Sequence, residues 1–281
     1  MKEQDWTLII TPRRKFFSLN IRELWRYRDL IYLFVRRDFV SKFKQTILGP
    51  LWFIIQPLIA TVLFTLVFGR IAKISTDGLP HILFYYSGLV AWNYFSLVFK
   101  ITSKTFITNA SLFSKVYFPR LTVPVANVIS GLLQFAVQFI ILVGFIIFYV
   151  IKGVHISIHW HILLLPYLIL LMALVGLGGG VIISAMTTKY RDLTYVIDFG
   201  VQLLMYITPV IYPISQIPQK YKIFIQINPL TPIVESFRFI LLGKGDFSWQ
   251  SLLYATFAAI VIFIFGVAIF NRVEKIFIDT V

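Results

Sequence analysis

The stretch NPLTPIVESFRFILL, residues 228–242, decides how the rest of the chain is read. Two prolines, a glutamate and an arginine are wrong for an ordinary membrane span, because charge and missing backbone donors are costly in hydrocarbon. Ile233, Val234, Phe237, Phe239, Ile240, Leu241 and Leu242 are equally wrong for a loop in water. The segment needs surroundings that are partly apolar and partly able to satisfy polar groups.

The composition says where such surroundings are found. Of 281 residues, 58% are hydrophobic, 17% aromatic and 14% charged, and the mean hydropathy is +0.83. A soluble domain carries about a quarter of its residues as Asp, Glu, Lys and Arg. This is a membrane protein. The net charge of +14 is scattered between long apolar runs, which suits anionic lipid and membrane topology rather than nucleic acid. There is no cysteine, so disulfides and thiolate metal sites are excluded. The first twenty residues contain acids and Pro12 without a continuous apolar core, so they do not read as a cleaved signal peptide.

A hydrocarbon core of about 30 Å takes roughly 20 apolar helical residues to cross. That length predicts six transmembrane helices, near 51–69, 82–99, 121–151, 162–186, 193–214 and 251–270. The third is longer than one crossing needs, so it either tilts or extends into the cytoplasm beyond Pro124. With six spans both termini share a side. Nineteen Lys and Arg fall outside the spans on that side and seven on the other, which places both termini in the cytoplasm and residues 228–242 outside. The expected organisation is an all-α membrane protein with a cytoplasmic N-terminal arm at 1–47, a transmembrane domain at 48–281, and an external segment at 214–250.

The arm has helical period. Ile21, Leu24, Trp25, Ile31, Tyr32, Val35, Phe39 and Phe43 share one face, and Arg22, Arg26, Asp29, Arg37 and Lys44 the other. Asn20 and Glu23 have capping-box spacing. This predicts an interfacial amphipathic helix, serving either as a lipid anchor or as a surface for a cytoplasmic partner. Gly49-Pro50 ends it, and Pro57 kinks the first span, a defect that neighbouring helices can repair.

Catalytic and metal chemistry is poorly represented. No G-x-x-x-x-G-K-[ST] occurs, and Gly243-Lys244-Gly245 lacks the spacing, so the chain has no phosphate loop of that kind. Gly176, Gly178, Gly179 and Gly180 lie inside a span, where they read as helix-packing residues. His155, His159 and His161 lack a carboxylate or fourth ligand and read as interfacial polarity beside Trp160. Asp198 is the one intramembrane acid and would carry an ion-gradient-driven lipid-glycan flippase. The simpler reading pairs it with Arg191 at the cytoplasmic edge. Glu235 or Asp246 would have to serve a membrane enzyme acting on lipid-linked sugars, a weak set for acid–base work.

Four stretches occur together in order: LGPLWFIIQPL at 48–58, FSKVYFPRLTVPVANV at 113–128, RDLTYVIDFGVQLLMYITPVIYPISQIP at 191–218, and NPLTPIVESFR at 228–238. In these the chain resembles the transmembrane permease of ATP-binding-cassette exporters of the polysaccharide and O-antigen type, over nearly its whole length. The resemblance implies a channel-forming homodimer in a bacterial plasma (inner) membrane, passing a lipid-linked glycan of O-antigen, capsule or teichoic-acid type. It also implies two copies of a separate cytoplasmic ATPase, which would hold the ATP and Mg. This chain would then have no catalytic site, cofactor or metal of its own. A coupling helix is implied at 105–117, with Thr105, Asn109, Ser111, Leu112, Phe113 and Lys115 meeting the ATPase. On residues alone, that stretch is a basic loop. Two short gate helices between spans five and six would make 214–250 a re-entrant segment and close the exit, involving Asn228, Pro229, Pro232, Glu235 and Arg238. Glu235 and Arg238, three apart, can satisfy each other. Sugar rings stack on aromatic faces, so Tyr85, Tyr86, Trp92 and Tyr94 are expected in the channel wall, with Trp52, Phe53, Tyr206 and Tyr212 as further candidates.

Overall fold

The computed structural model describes residues 21–44, 46–157, 160–190 and 192–280. It is helical throughout, with no strand among the described residues. The helices are α1 (Ile21–Arg26), α2 (Arg28–Phe43), α3 (Trp52–Phe64), α4 (His81–Ser103), α5 (Thr105–Thr108), α6 (Ala110–Phe113), α7 (Thr122–Ile151), α8 (Leu165–Thr187), α9 (Leu193–Ile207), α10 (Gln219–Gln226), α11 (Leu230–Leu242) and α12 (Trp249–Thr280).

Among the described residues, five helical segments are long and apolar enough to cross a membrane: Gly49–Ile71, His81–Ser103, Thr122–Ile151, Trp160–Thr187 and Trp249–Val273. The expected fifth span is shorter than the sequence suggested. α9 stops at Ile207, where Thr208 turns extended ahead of Pro209. At 1.5 Å per residue its 15 residues measure about 22 Å, less than a crossing. By length alone, the expected six spans become five long helices and one short one.

α4 is the central post. Its sequence is apolar on nearly every face, and it is enclosed by α3, α7, α8, α9 and α11. α8 lies between α4 and α12, and glycine lets it approach both. A Cβ on Gly178 would stand 2.7 Å from the Phe263 Cα, and one on Gly180 would stand 2.7 Å from the Thr102 Cβ. The glycine run is therefore a packing seam, as expected of small residues between membrane helices.

Pro57 leaves the Phe53 carbonyl without its usual helical donor, and Gln138 of α7 supplies one, 3.3 Å away. Asn93 holds that glutamine by donating to its Oε1 at 3.2 Å. After Phe64 the first span widens into a π-helical turn, Thr65–Ile71. The surplus length of α7 is covered by protein: residues 122–127 are mostly buried, and α2 packs along this helix.

The N-terminal arm departs from a single apolar face. Leu24, Ile31 and Val35 pack toward the bundle with Phe34, while Trp25, Tyr32 and Phe39 face outward. Two apolar flanks result, because the arm answers both to the bundle and to its surroundings. Arg22, Arg26 and Arg37 are exposed between them. Asn20 and the side chains of Ile21 and Phe43 lie outside the described residues.

Candidate functional site

The segment 228–242 forms the core of the site. Asn228 starts it: its Oδ1 accepts the Leu230 N–H at 3.1 Å while its Nδ2 donates to Thr208 Oγ1 at 2.9 Å. One side chain thus satisfies the first N–H of α11 and ties the helix to the end of α9. Pro229 and Pro232 occupy the first turns, where a missing N–H costs nothing. Gly243, at φ 69°, closes the helix with its N–H 2.9 Å from the Phe239 carbonyl. Two short helices, α10 and α11, are separated at residues 227–229, and their burial is unequal. α11 is enclosed by α4, α8 and α12, whereas α10 leaves Tyr221, Ile223 and Phe224 exposed. α11 can be surrounded because its two charges satisfy each other; α10 carries Lys220 and Lys222 and stays at the surface.

Arg238 is 1% exposed, as is Glu235, and its Nη1 donates to Glu235 Oε1 at 2.6 Å. Its Nη2 reaches the Pro209 and Val210 carbonyls at 3.1 and 3.3 Å, which are free because the chain leaves α9 there. Its guanidinium carbon lies 3.9 Å from the centre of the Phe84 ring. The other carboxylate oxygen of Glu235 accepts the Asp246 N–H at 3.0 Å. Burial pushes the Glu235 carboxyl up and the Arg238 guanidinium down, and the pairing opposes both shifts. A guanidinium stays protonated at neutral pH, so the two stand as an ion pair. The pair thereby joins α11, α4, the turn after α9 and the loop before α12. Gly88 of α4 makes room for it: a Cβ there would lie 2.8 Å from the Val210 carbonyl oxygen and 2.9 Å from Arg238 Nη2. Gly88, Phe84, Pro209 and Val210 were not singled out from sequence.

At the opposite end of the bundle, the 105–117 stretch forms two helical turns with distinct sides. Thr105, Asn109 and Phe113 face inward; Asn109 donates to the Thr105 carbonyl at 3.0 Å. Those three residues therefore hold the turns in place and have little surface to offer a partner. Ser111 and Lys115 are exposed and Leu112 is half-buried, with Ile107, Val116 and Tyr117 also exposed. Behind the turns runs a chain of rings. Phe34 of α2 meets Phe118 at 5.7 Å, Phe118 meets Phe113 at 5.7 Å, Phe113 meets Phe106 at 5.9 Å, and Phe106 stacks on Phe270 of α12 at 4.6 Å. These ring contacts link the arm, the turns and the last helix.

The four rings expected in a channel wall lie elsewhere. Tyr85 and Tyr86 are 0% exposed, and Trp92 and Tyr94 are nearly as enclosed. α4 is the middle of the bundle, so in this arrangement none of them offers a sugar a face. The exposed rings are on α9, whose buried residues are Ile197 and Val201: Tyr195, Phe199 and Tyr206 point away from the chain, and Trp52 at the start of α3 is half exposed. Tyr212 instead donates to the Tyr206 carbonyl at 2.8 Å. Asp198 pairs with Lys104 at 2.8 Å and Lys100 at 3.6 Å, on a partly exposed surface. Arg191 lies outside the described residues. His161 stacks on Trp160 beside Phe239 and Phe247. His159 is outside the described residues, and among those described no three His, Cys, Asp or Glu gather around a metal-sized space.

Comparison with known proteins adds relatives of similar length. The chain is 27% identical over 252 residues to the O-antigen export system permease protein RfbA of Klebsiella pneumoniae, covering 89% of this chain and 94% of that protein. It is 25% identical over 222 residues to RfbA of Myxococcus xanthus, covering 78% and 83%. It is 22% identical over 240 residues to the polysialic acid transport protein KpsM of Escherichia coli, covering 85% and 91%. The family described as ABC-2 type transporter matches residues 29–242, from α2 to the last residue of α11, and the chain belongs to that family.

Proposed function

We propose that this chain is the permease half of an exporter that moves a lipid-linked polysaccharide out of the cytoplasm, driven by a separate ATPase subunit. The observation that carries the reading is the alignment over 89% of the chain with a protein named as an O-antigen export permease. The lack of a Walker-type phosphate loop in the sequence fits an energy source on another polypeptide. Capsule and teichoic-acid glycans remain within the same reading; KpsM, a polysialic acid transport protein, is among the relatives.

The conduit is formed by two copies of the chain in the inner membrane, with both termini cytoplasmic. The outward face of α9, carrying Tyr195, Phe199 and Tyr206, together with α3 and Trp52, supplies its wall. These rings are accessible and suit the apolar faces of sugar rings. The ATPase docks on the outer side of 105–117, at Ser111, Leu112, Lys115 and the neighbouring Ile107 and Tyr117. Its push passes through Phe106 to Phe270 and through Phe118 to Phe34. At the outer end α10 and α11 form the gate, with the Glu235–Arg238 pair as its latch.

The test is charge reversal on the docking surface. Lys115→Glu with Ser111→Glu removes ATP-stimulated export and ATPase co-purification while the permease keeps its thermal stability. Export that persists after demonstrable loss of ATPase association would refute the docking assignment.

A further inference from the structure

We infer that the outer end of the chain carries a saccharide-binding pocket whose floor is the latch carboxylate. A cavity of about 350 Å³ lies between α10, α11 and the start of α12. That volume is within the range of small-molecule sites, about 300–1,000 Å³. Its polar lining joins amides and hydroxyls to two carboxylates: Gln226, Thr231, Glu235, Asp246, Gln250 and Ser251. Amides, hydroxyls and carboxylates together suit a ligand whose groups are hydroxyls, each donating and accepting at once. A phosphate would call for cations, and this cavity has none in its lining, Lys222 and Lys244 lining only the cavity that adjoins it. Tyr254 completes the wall, and its hydroxyl is tied to the Ile227 carbonyl at 2.5 Å, so the ring is held as a fixed platform. A fixed aromatic beside apolar Ile223 and Ile227 matches the C–H face of a pyranose.

Two features make this more than a polar dent. A second cavity of about 360 Å³ adjoins it and shares Ile214, Glu235 and Asp246, which gives consecutive subsites such as a polymer occupies. The shared Glu235 already holds Arg238 with one oxygen and the Asp246 N–H with the other. A sugar hydroxyl donating to that carboxylate competes with the contacts that tie α11 to its surroundings. Occupancy of the pocket thus loosens the latch, so the emerging glycan helps to keep its own exit open. The ligand assignment rests on the exporter reading above.

The experiment uses the full chain in lipid nanodiscs and saturation-transfer NMR with free D-mannose, D-galactose, L-rhamnose and N-acetyl-D-glucosamine as probes. At least one sugar receives ring-proton saturation from the wild type. Tyr254→Leu and Gln250→Ala each weaken its apparent affinity at least tenfold, whereas Tyr254→Phe, which keeps the ring, weakens it less than threefold. No saturation from any of the four sugars, or saturation that Tyr254→Leu and Gln250→Ala leave unchanged in a folded chain, overturns the pocket. ATP-driven glycan transport is measured on the same variants. Transport without sugar binding sinks the pocket alone, and binding without transport sinks the exporter reading.

Discussion

Replacing Arg238 with methionine keeps most of the side-chain volume and removes the charge, so it isolates what the buried pair contributes. Glu235 is left 1% exposed with only the Asp246 N–H as partner. It escapes by taking up a proton. At pH 7, relative to an ordinary glutamate near 4.3, that costs about 3.7 kcal/mol at 1.36 kcal/mol per pH unit. The Pro209 and Val210 carbonyls, buried and bonded at 3.1 and 3.3 Å, lose their donor as well. Their bonds are long, so about 1–2 kcal/mol for the two together is a fair addition. The expected loss is about 5 kcal/mol. Glu235→Gln leaves a buried unpaired guanidinium and costs about 3–5 kcal/mol. The double variant removes both charges and costs only about 2 kcal/mol, mainly for the carbonyls. Unfolding in mixed micelles, followed by tryptophan fluorescence, reads all four corners of this cycle. A coupling energy of several kcal/mol is expected. Single effects that add to within about 0.5 kcal/mol would mean that the two charges do not act as a unit, and the latch would be wrong.

Other outcomes follow from the same packing. Gly88→Ala puts a methyl group 2.8 Å from the Val210 carbonyl oxygen and 2.9 Å from Arg238 Nη2, so it destabilises by about 1–3 kcal/mol in the same unfolding assay. Adding Arg238→Met to it costs less than the two single effects combined, since the arginine it crowds is gone. Phe106→Ala opens the ring chain behind the docking turns and costs about 3–5 kcal/mol, whereas Lys115→Glu on the outer side leaves the unfolding midpoint unchanged. Asp198→Asn breaks a partly exposed pair with Lys104, costs at most about 1 kcal/mol and leaves ATP-driven transport intact. Abolition of transport by that substitution would favour an ion-gradient mechanism.

Long apolar runs were legible in the sequence because a bilayer imposes a length rule on every span. The Pro57 repair was legible in kind, since a proline inside a membrane helix must find a substitute donor. Its supplier, Gln138, lies 81 residues further on, and nothing local marks it. The end of α9 had a signal, Thr208-Pro209, that a hydropathy window reads through because Val210, Ile211 and Tyr212 are apolar. The aromatics of α4 misled for a related reason. Hydropathy separates lipid-compatible helices from others but cannot tell a helix at the centre of a bundle from one facing a path, and α4 proved to be central. Asn109 and Phe113 belong to the coupling stretch that the family resemblance implies, and both are buried because a turn of that length must bury one side to hold its shape. The Glu235–Arg238 pair follows from i, i+3 spacing on the gate helix that the resemblance implies; Gly88 became visible only once α4 and α11 were seen to touch.

The most direct test of the account is glycan transport in sealed vesicles containing this chain with and without its ATPase subunit. The account predicts movement of the lipid-linked polysaccharide only when both subunits and ATP are present, and none with a hydrolysis-deficient ATPase. Movement carried out by this chain alone, at a rate that ATP and the second subunit do not change, would contradict it.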